Sequence, residues 1–515
     1  MRVKNSLINI TAGIGSQIII TLLSFISRTV FITYLGVEYL GINGLFTNII
    51  GMLSLAEAGI GSAIIYSLYK PVAENDKTKI TILMNYYKKA YTVIAIIIFA
   101  LGISIVPFLD YIVKDSDVQY IHLIFMIFLL NTIASYLFSH KISFLNVCQK
   151  GYLVTGIYTL SSIMTTLFRL GILILSQNFI LYLLIEVFIT IITALFFSLV
   201  VDKKYPYLKM KMTSKLDEET KSTINKNIKA LLLHRIGGYS VFGTDNIIIA
   251  AFVSVSAVGL FSNYYMLINI CRTFIGQFFD NITHSLGNLI AIGSKEKIYN
   301  IFKVTELCNF WIYSFFTIFL FNMIEPFIDL WIGSQFIMSK SVLIILMINF
   351  FVSGMRRSIS LVKTTSGIFY KDRYAPFVEA LVNLVSSIIL VQFYGIVGVF
   401  IGTLISTIVV PFWIAPYLVY KQVFNKPVLH YFINYVYLVF LGLGTCLLTN
   451  FLCNLFTNVG IVQLVLRAAI CLLIPNLIFI CVFYRSKEFK YLYRILKDFL
   501  EKFINKYKLY KKMAS

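Results

Sequence analysis

Arginines and carboxylates stand inside otherwise apolar stretches of this chain, spaced so that they share helical faces. Gln17, Thr21, Ser24 and Arg28 recur at i, i+4, i+7 and i+11, one stripe of a single helix. Thr47, Gly51, Ser54, Glu57 and Gly61 repeat the pattern. His234, Gly238 and Asp245, with Arg235 adjacent, form a third stripe, and Ser262, Asn269, Arg272, Gly276 and Asp280 a fourth. Tyr158, Ser162 and Thr165 lead to Arg169, while Glu186 precedes Thr190 and Thr193. Arginine forks bind phosphate oxygens bidentately, and carboxylates at such depth carry protons or cations. The candidate substrate-binding residues are therefore Arg28, Arg235 and Arg272. Glu57, Asp245 and Asp280 are the candidates for ion coupling or for lining the same cavity.

Other chemistries find no residues. The seven cysteines are scattered without a Cys-x-x-Cys pair and read as small buried hydrophobes, neither a disulfide framework nor a metal site. The five histidines have no metal-ligand spacing, and there is no Walker-type phosphate loop. No catalytic residue, metal or cofactor is expected, and the chain is not read as an enzyme.

The elements that position these groups follow from composition. Of 515 residues, 59% are hydrophobic and only 13% charged, with a mean hydropathy of +0.84. Too little polar surface remains to cover a water-soluble fold, which excludes soluble enzymes, disordered chains and fibres. A bilayer crossing needs about 20 apolar residues, and backbone groups in lipid must pair within a helix. Fourteen spans are expected, at about 7–34, 39–69, 90–112, 119–139, 152–175, 178–201, 229–253, 256–285, 305–328, 341–362, 377–394, 396–420, 429–450 and 460–484. The first is read as a retained span, because no small-residue cleavage site follows it. The predicted fold is an all-α integral membrane protein.

Charge tests the count. The chain has 44 Lys and Arg against 23 Asp and Glu, a net +21. With the N-terminus inside, 37 basic residues fall in cytoplasmic segments and only Lys114 and Lys340 in outer loops. Five arginines (Arg28, Arg169, Arg235, Arg272 and Arg467) lie within spans. That asymmetry fits fourteen spans with both termini cytoplasmic. The basic excess belongs to this topology, and no nucleic-acid partner is expected. The tail 485–515 interleaves Lys and Arg with Tyr, Phe and Leu, as does an amphipathic helix on anionic lipid.

Gly44-Leu-Phe-Thr-Asn48 recurs as Gly259-Leu-Phe-Ser-Asn263, an offset of 215. That offset carries spans one to six onto seven to twelve, a parallel repeat about an axis along the membrane normal. The expected organisation is a six-helix lobe at 1–212, a second at 213–427, an extra helix pair at 428–484 and the basic tail at 485–515. The same offset sets Glu57 equivalent to Arg272, opposite charges on either side of a proposed central cavity. Structural readings compete. Arg28 and Asp245 lie near helix ends and could snorkel; Glu57 and Arg272 could be a plain ion pair. Arg169 and Glu186 could lock helices five and six together, and Arg467 could serve as a head-group contact.

The stretch Arg28–Phe46 (RTVFITYLGVEYLGINGLF), with Ala58–Ser62 (AGIGS), Thr244–Ile247 (TDNI) and Gly395–Thr403 (GIVGVFIGT), resembles the polysaccharide-transporter family. That family contains the Wzx-type O-antigen and capsule repeat-unit flippases of the multidrug/oligosaccharidyl-lipid/polysaccharide exporter superfamily. The resemblance spans essentially the whole chain. It implies an alternating-access flippase of the cytoplasmic (inner) membrane that moves undecaprenyl-diphosphate-linked oligosaccharide to the outer leaflet. A polysaccharide polymerase and glycosyltransferases would be the proteins it works beside. In the related lipid II flippases, arginines of the first and eighth helices line a cationic cavity; Arg28 and Arg272 occupy matching helices. Glu57, Asp245 and Asp280 depart from that pattern and make the cavity mixed in sign. Two alternatives remain. A cation-coupled multidrug antiporter of the same superfamily would favour acidic, aromatic cavities, against which the arginines count. A membrane glycan polymerase or ligase would need larger outer loops than this sequence allows.

Overall fold

The computed structural model describes residues 2–57, 59–113, 116–210, 216–218, 220–222, 224, 228, 243–368, 371–456, 460–494 and 497. Side chains before Gly13, of Ile14, and at 280–285, 287–289 and 291–292 are outside that description. The described elements are all helical. Eleven helices among them are long and apolar enough to cross a bilayer, and the chain is a multi-pass membrane protein. The first, Gly15–Glu57, takes in the first expected span and most of the second. The other ten fall on expected spans three to six and nine to fourteen. The eighth expected span coincides with the Val255–Ile292 helix. Of the seventh, the described part is Asp245–Phe252; residues 229–242 lie outside the description.

One break divides the first two spans. The helix Arg2–Leu53 contains 52 residues, about 78 Å if straight and more than twice the ~30 Å hydrocarbon core. Gly36 interrupts it at φ 82° and ψ −175°, a backbone region open to glycine and costly for residues with a Cβ. The chain thus turns at Gly36 and enters its second span without a loop.

By contact the chain forms two compact units. The first comprises 1–262 with 376–399, and the second 263–375 with 400–515. In the first unit, Ile121–Val147 packs on Phe179–Lys204 and on Lys77–Ile105, while Gly151–Ser176 packs on the first helix. Edge-on aromatic contacts fill the seams: Phe31 with Phe179 and Tyr182, and Phe46 with Phe125. The basic segments meet at one end. Lys79 lies 3.7 Å from Asp217, and Thr81 donates to the Tyr207 carbonyl at 3.4 Å. Lys141 pairs with Asp202 at 2.7 Å, and Lys150 donates to the Tyr205 hydroxyl at 2.9 Å. Segments 70–89, 140–151 and the start of 202–229 therefore share a side, as alternating spans require.

Within the first unit a reciprocal crossing replaces the repeat register expected from sequence. A Cβ on Gly41 would collide with the Val255 carbonyl oxygen, and one on Gly259 with the Val37 carbonyl oxygen. Arg28 Nη1 donates to Ser262 Oγ at 2.8 Å, and Asn246 Nδ2 donates to the Gly44 carbonyl at 3.5 Å. In each reciprocal pair the equivalent residues are 218 apart: Val37 and Val255, Gly41 and Gly259, Arg28 and Asn246, Gly44 and Ser262. The contacts obey a local two-fold at 218, three residues from the 215 of the five-residue match. Three residues turn a helix by about 300°, enough to place side chains on different faces. At 218 Arg272 matches Ser54 and Glu57 matches Ile275, whereas 215 sets Glu57 equivalent to Arg272.

The second unit is built around the Lys295–Ile332 helix, against which Lys340–Met355, Leu429–Cys453 and Ile461–Phe483 pack. Ser294 caps its start by accepting from Lys297 N–H. The C-terminal pair is anchored to it, since Trp311 Nε1 donates to Asn476 Oδ1 at 2.7 Å and the Trp311 ring stacks on Phe489. Asn309, fully buried, donates to the carbonyls of Gly354 and Met355 at 3.1 Å each. Those are the last carbonyls of the Lys340–Met355 helix, just before Arg357–Thr365 begins. Two cysteines expected to be scattered do meet: Cys453 and Cys471 are buried with their sulfurs 3.7 Å apart. The tail beyond Lys497 lies outside the described residues.

Because both carbonyls at the crossing are backbone atoms, they cannot swing away. Gly41→Ala and Gly259→Ala should each destabilise the detergent-solubilised protein by about 1–3 kcal/mol, the usual cost of overpacking. Thermal unfolding beside Gly276→Ala, where a Cβ meets open space, checks this. Equal melting temperatures in all three would mean the helices do not cross there.

Candidate functional site

Arg28 sits in the first helix about two turns before the Gly36 break is reached, and the crossing fixes its guanidinium against Ser262. Ser262 Oγ in turn donates to the Gly259 carbonyl at 2.7 Å. The same glycine that permits close approach thus orients the hydroxyl that receives Arg28. The stripe N-terminal to Arg28 is partly satisfied within its own helix: Gln17 Nε2 reaches Thr21 Oγ1 at 3.5 Å, and Ser24 donates to the Thr21 carbonyl at 2.7 Å.

Glu57 ends the short 3₁₀ turn Ser54–Glu57 that interrupts the second span. Tyr91 donates its hydroxyl to Glu57 Oε1 at 2.8 Å, and the Gly61 N–H donates to the same oxygen at 3.1 Å. A Cβ at Gly61 would overlap the Tyr91 hydroxyl, so that glycine makes room for the contact. Tyr87 meets Tyr91 edge-on at 4.8 Å and donates to Ser143 Oγ at 3.1 Å. Tyr136 approaches Tyr91 from the other side at 5.7 Å. The Glu57 carboxyl is held in a tyrosine-walled polar cluster inside the first unit, contributed by three helices.

Asp245 is buried, at 8% exposure, in the first turn of the Asp245–Phe252 helix. Backbone N–H groups with no intrahelical partner favour a carboxylate there. Its neighbour Asn246 is a member of the reciprocal crossing. Arg235 and its stripe partners His234 and Gly238 lie outside the described residues.

In the second unit, Arg272 is half-buried on the Val255–Ile292 helix, with its guanidinium 5.8 Å from the centre of the Phe350 ring. An aromatic face attracts a guanidinium through the ring quadrupole. Asp280 lies two turns further along the same helix; its side chain is outside the described set. Of the six candidate residues, Arg28, Glu57 and Asp245 belong to the first unit and Arg272 and Asp280 to the second.

Arg169 and Glu186 form the expected ion pair, joining Gly151–Ser176 to Phe179–Lys204. Arg169 Nε also donates to the Tyr182 carbonyl at 3.2 Å, and its guanidinium lies 4.1 Å from the Tyr182 ring centre. Arg467, expected at a head-group, donates from Nε and Nη2 to the Phe456 carbonyl at 3.0 and 2.8 Å. Two buried carboxylates, Glu306 and Asp372, were not singled out from sequence. Glu306 is 4% exposed, accepts from Asn434 Nδ2 at 2.9 Å and lies 3.8 Å from Lys303 Nζ. Its place within an apolar run was the signal that could have found it. Among the described residues, no group of three or more His, Cys, Asp or Glu side chains could hold a metal ion.

No protein-family model matches the chain, and no curated protein sequence does. Solved structures do. The lipid II flippase MurJ, in an inward closed conformation, is similar with a TM-score of 0.63 at 16% identity, over 93% of this chain and 99% of that one. An inward-facing multidrug resistance MATE family transporter of the MOP superfamily gives 0.55 at 15% identity, over 76% of this chain and 92% of its own. A mutant of the Vibrio cholerae MATE transporter VcmN gives 0.54 at 16% identity, over 82% and 98%. At such identities the likeness is one of fold: the chain has the MurJ and MATE membrane-transporter fold.

The Glu57 cluster can be weighed directly. Tyr91→Phe removes one donor to a carboxyl at membrane depth and should cost about 1–3 kcal/mol. Combined with Glu57→Gln, the double variant should be less unstable than the two singles predict, since both break the same bond. Strict additivity in thermal unfolding of the full chain would show that the two side chains do not meet.

Proposed function

We propose that the chain is a flippase that moves undecaprenyl-diphosphate-linked oligosaccharide repeat units from the cytoplasmic to the outer leaflet, within polysaccharide biosynthesis. The observation that carries this reading is the extent of the MurJ likeness, 93% of this chain, against 76% and 82% for the two MATE transporters. The Leu429–Cys453 and Ile461–Phe483 pair packs on the second unit's central helix. MurJ is by its name a flippase for a lipid-linked substrate, and a Wzx-type transporter is the member whose substrate is a lipid-linked repeat unit.

The roles follow from the substrate's chemistry. Arg28, Arg235 and Arg272 take the diphosphate, for which guanidinium forks offer paired donors. Glu57, Asp245 and Asp280 are the carboxylates through which a coupling cation acts. Flipping makes and breaks no covalent bond, so no catalytic residue is needed. The sequence repeat gives two halves, 1–212 and 213–427, that rock against each other in alternating access. The protein works in the cytoplasmic membrane with both termini inside. The basic tail rests on anionic lipid, and a polymerase and glycosyltransferases act before and after it.

A multidrug antiporter is the second reading, and the Glu57 cluster favours it, because an acidic, tyrosine-walled site suits an organic cation. Leaflet exposure of undecaprenyl-linked sugar in cells lacking the protein separates the two. Accumulation on the cytoplasmic face supports the flippase; normal exposure with altered dye resistance supports the antiporter. Normal exposure with failed polymerisation would instead indicate a polymerase or ligase.

With a flippase, Arg272→Ala should abolish export while Arg272→Lys retains part of it, since lysine keeps the charge and loses the fork. Wild-type export by a stably inserted Arg272→Ala protein would remove this residue from the diphosphate site.

A further inference from the structure

A second polar site lies wholly inside the first unit. Helices Ile121–Val147, Gly151–Ser176 and Phe179–Lys204 enclose a cavity of about 350 Å³, within the size range of small-molecule sites. Its walls carry Ser162, Thr165, Thr166 and Thr190, with the Arg169–Glu186 pair at one end. At the other end the rings of Tyr158 and Phe197 stand 5.2 Å apart. From Tyr158 to Arg169 the wall rises eleven residues, about 16 Å along the helix.

Hydroxyls in lipid-embedded helices ordinarily bond back to the carbonyl four residues earlier, and most do so here. Thr29, Thr47, Thr92, Thr132 and Thr159 each donate to that carbonyl at 2.7–3.0 Å. Even Ser135 and Ser139, on the cavity's own wall, are satisfied this way. Ser162, Thr165, Thr166 and Thr190 break the pattern: among the described residues none of the four makes a hydrogen bond. Three such hydroxyls on one helix, facing a fourth on the next, carry a penalty at membrane depth unless something polar occupies the space between them.

The lining also selects the occupant. Arg169 is already neutralised by Glu186 and bonded to the Tyr182 carbonyl, so neither charge is left to recruit a diphosphate or a cation. What remains is a set of neutral donor-acceptor groups facing a pair of aromatic rings. That combination fits a ring bearing many hydroxyls and an apolar C–H face. We propose that this cavity is a glycan subsite, receiving a neutral sugar unit of the translocated substrate. The assignment rests on the flippase reading, because it presumes that the substrate carries a glycan.

The test uses full-length protein in vesicles loaded with undecaprenyl-diphosphate-linked oligosaccharide extracted from the native membrane. Thr165→Val with Thr190→Val removes two hydroxyls at nearly constant volume. Ser162→Ala with Thr166→Val is the second variant, and Thr132→Val, whose hydroxyl is bonded within its own helix, the control. Each cavity variant, with a melting temperature like that of wild type, should flip the lipid about tenfold more slowly, as expected for lost substrate hydrogen bonds. The control should match wild type. Oligosaccharide released from the same lipid by mild acid should raise the melting temperature of the wild-type protein and not of the variants. Wild-type flipping by both folded cavity variants would overturn the subsite. So would stabilisation by inorganic diphosphate or tetramethylammonium that the cavity substitutions abolish. A wild-type protein that flips none of the lipid would instead overturn the flippase reading.

Discussion

The bilayer's refusal to solvate a polar group governs this structure. Each donor or acceptor carried into the hydrocarbon must find a partner in the protein, in trapped water or in cargo. Most find one nearby. Threonines bond back to their own helices, Asn309 closes the end of a neighbouring helix, and the Tyr91 hydroxyl meets Glu57. The groups that need explaining are those the protein leaves to something else. They are hydroxyls around Arg169 and Glu186, whereas Arg28 is bonded to Ser262 and Arg272 lies against the Phe350 ring.

That distinction argues against treating every intramembrane charge alike. Arg169 and Glu186 compensate each other, and their pairing makes the surrounding cavity neutral. The Arg272 guanidinium lies 5.8 Å from the centre of the Phe350 ring. A transporter of an amphiphile with a charged head and a neutral glycan needs both environments. A drug antiporter would need only the first, with the sign reversed. Fold alone does not choose between them, since MurJ and the MATE transporters share it.

Much of this was legible in the sequence, and for physical reasons. Span positions follow from hydrophobic length, and basic segments from the cost of carrying Lys and Arg across. Ser162, Thr165, Arg169, Glu186 and Thr190 were visible as stripes, because helical spacing fixes a shared face. Which partner each stripe residue takes was not legible. The tyrosines around Glu57 come from helices 30 to 80 residues away, and aromatic residues are too common in this chain to stand out. The Gly36 break was also hidden. A glycine within an apolar run reads equally well as a loop or as helix, and only its positive φ shows that two spans meet there without a linker.

The repeat shows the limit most sharply. Identity of five residues gave an offset of 215, yet the crossing that pairs Gly41 with Val255 and Gly259 with Val37 obeys 218. Conserved letters record ancestry, whereas contacts record which atoms can approach. Where two helices must touch at backbone distance, only glycine admits the partner's carbonyl, so the glycines that meet define the register. Three residues is less than one helical turn, so the shift rotates each stripe as well as sliding it. At 215 the repeat set Glu57 against Arg272 and suggested that their charges cancel. At 218 it sets Arg28 against Asn246, one charged donor and one neutral donor, each reaching across the same crossing to Ser262 or Gly44. At the crossing, positions 218 apart thus share a packing device and differ in charge.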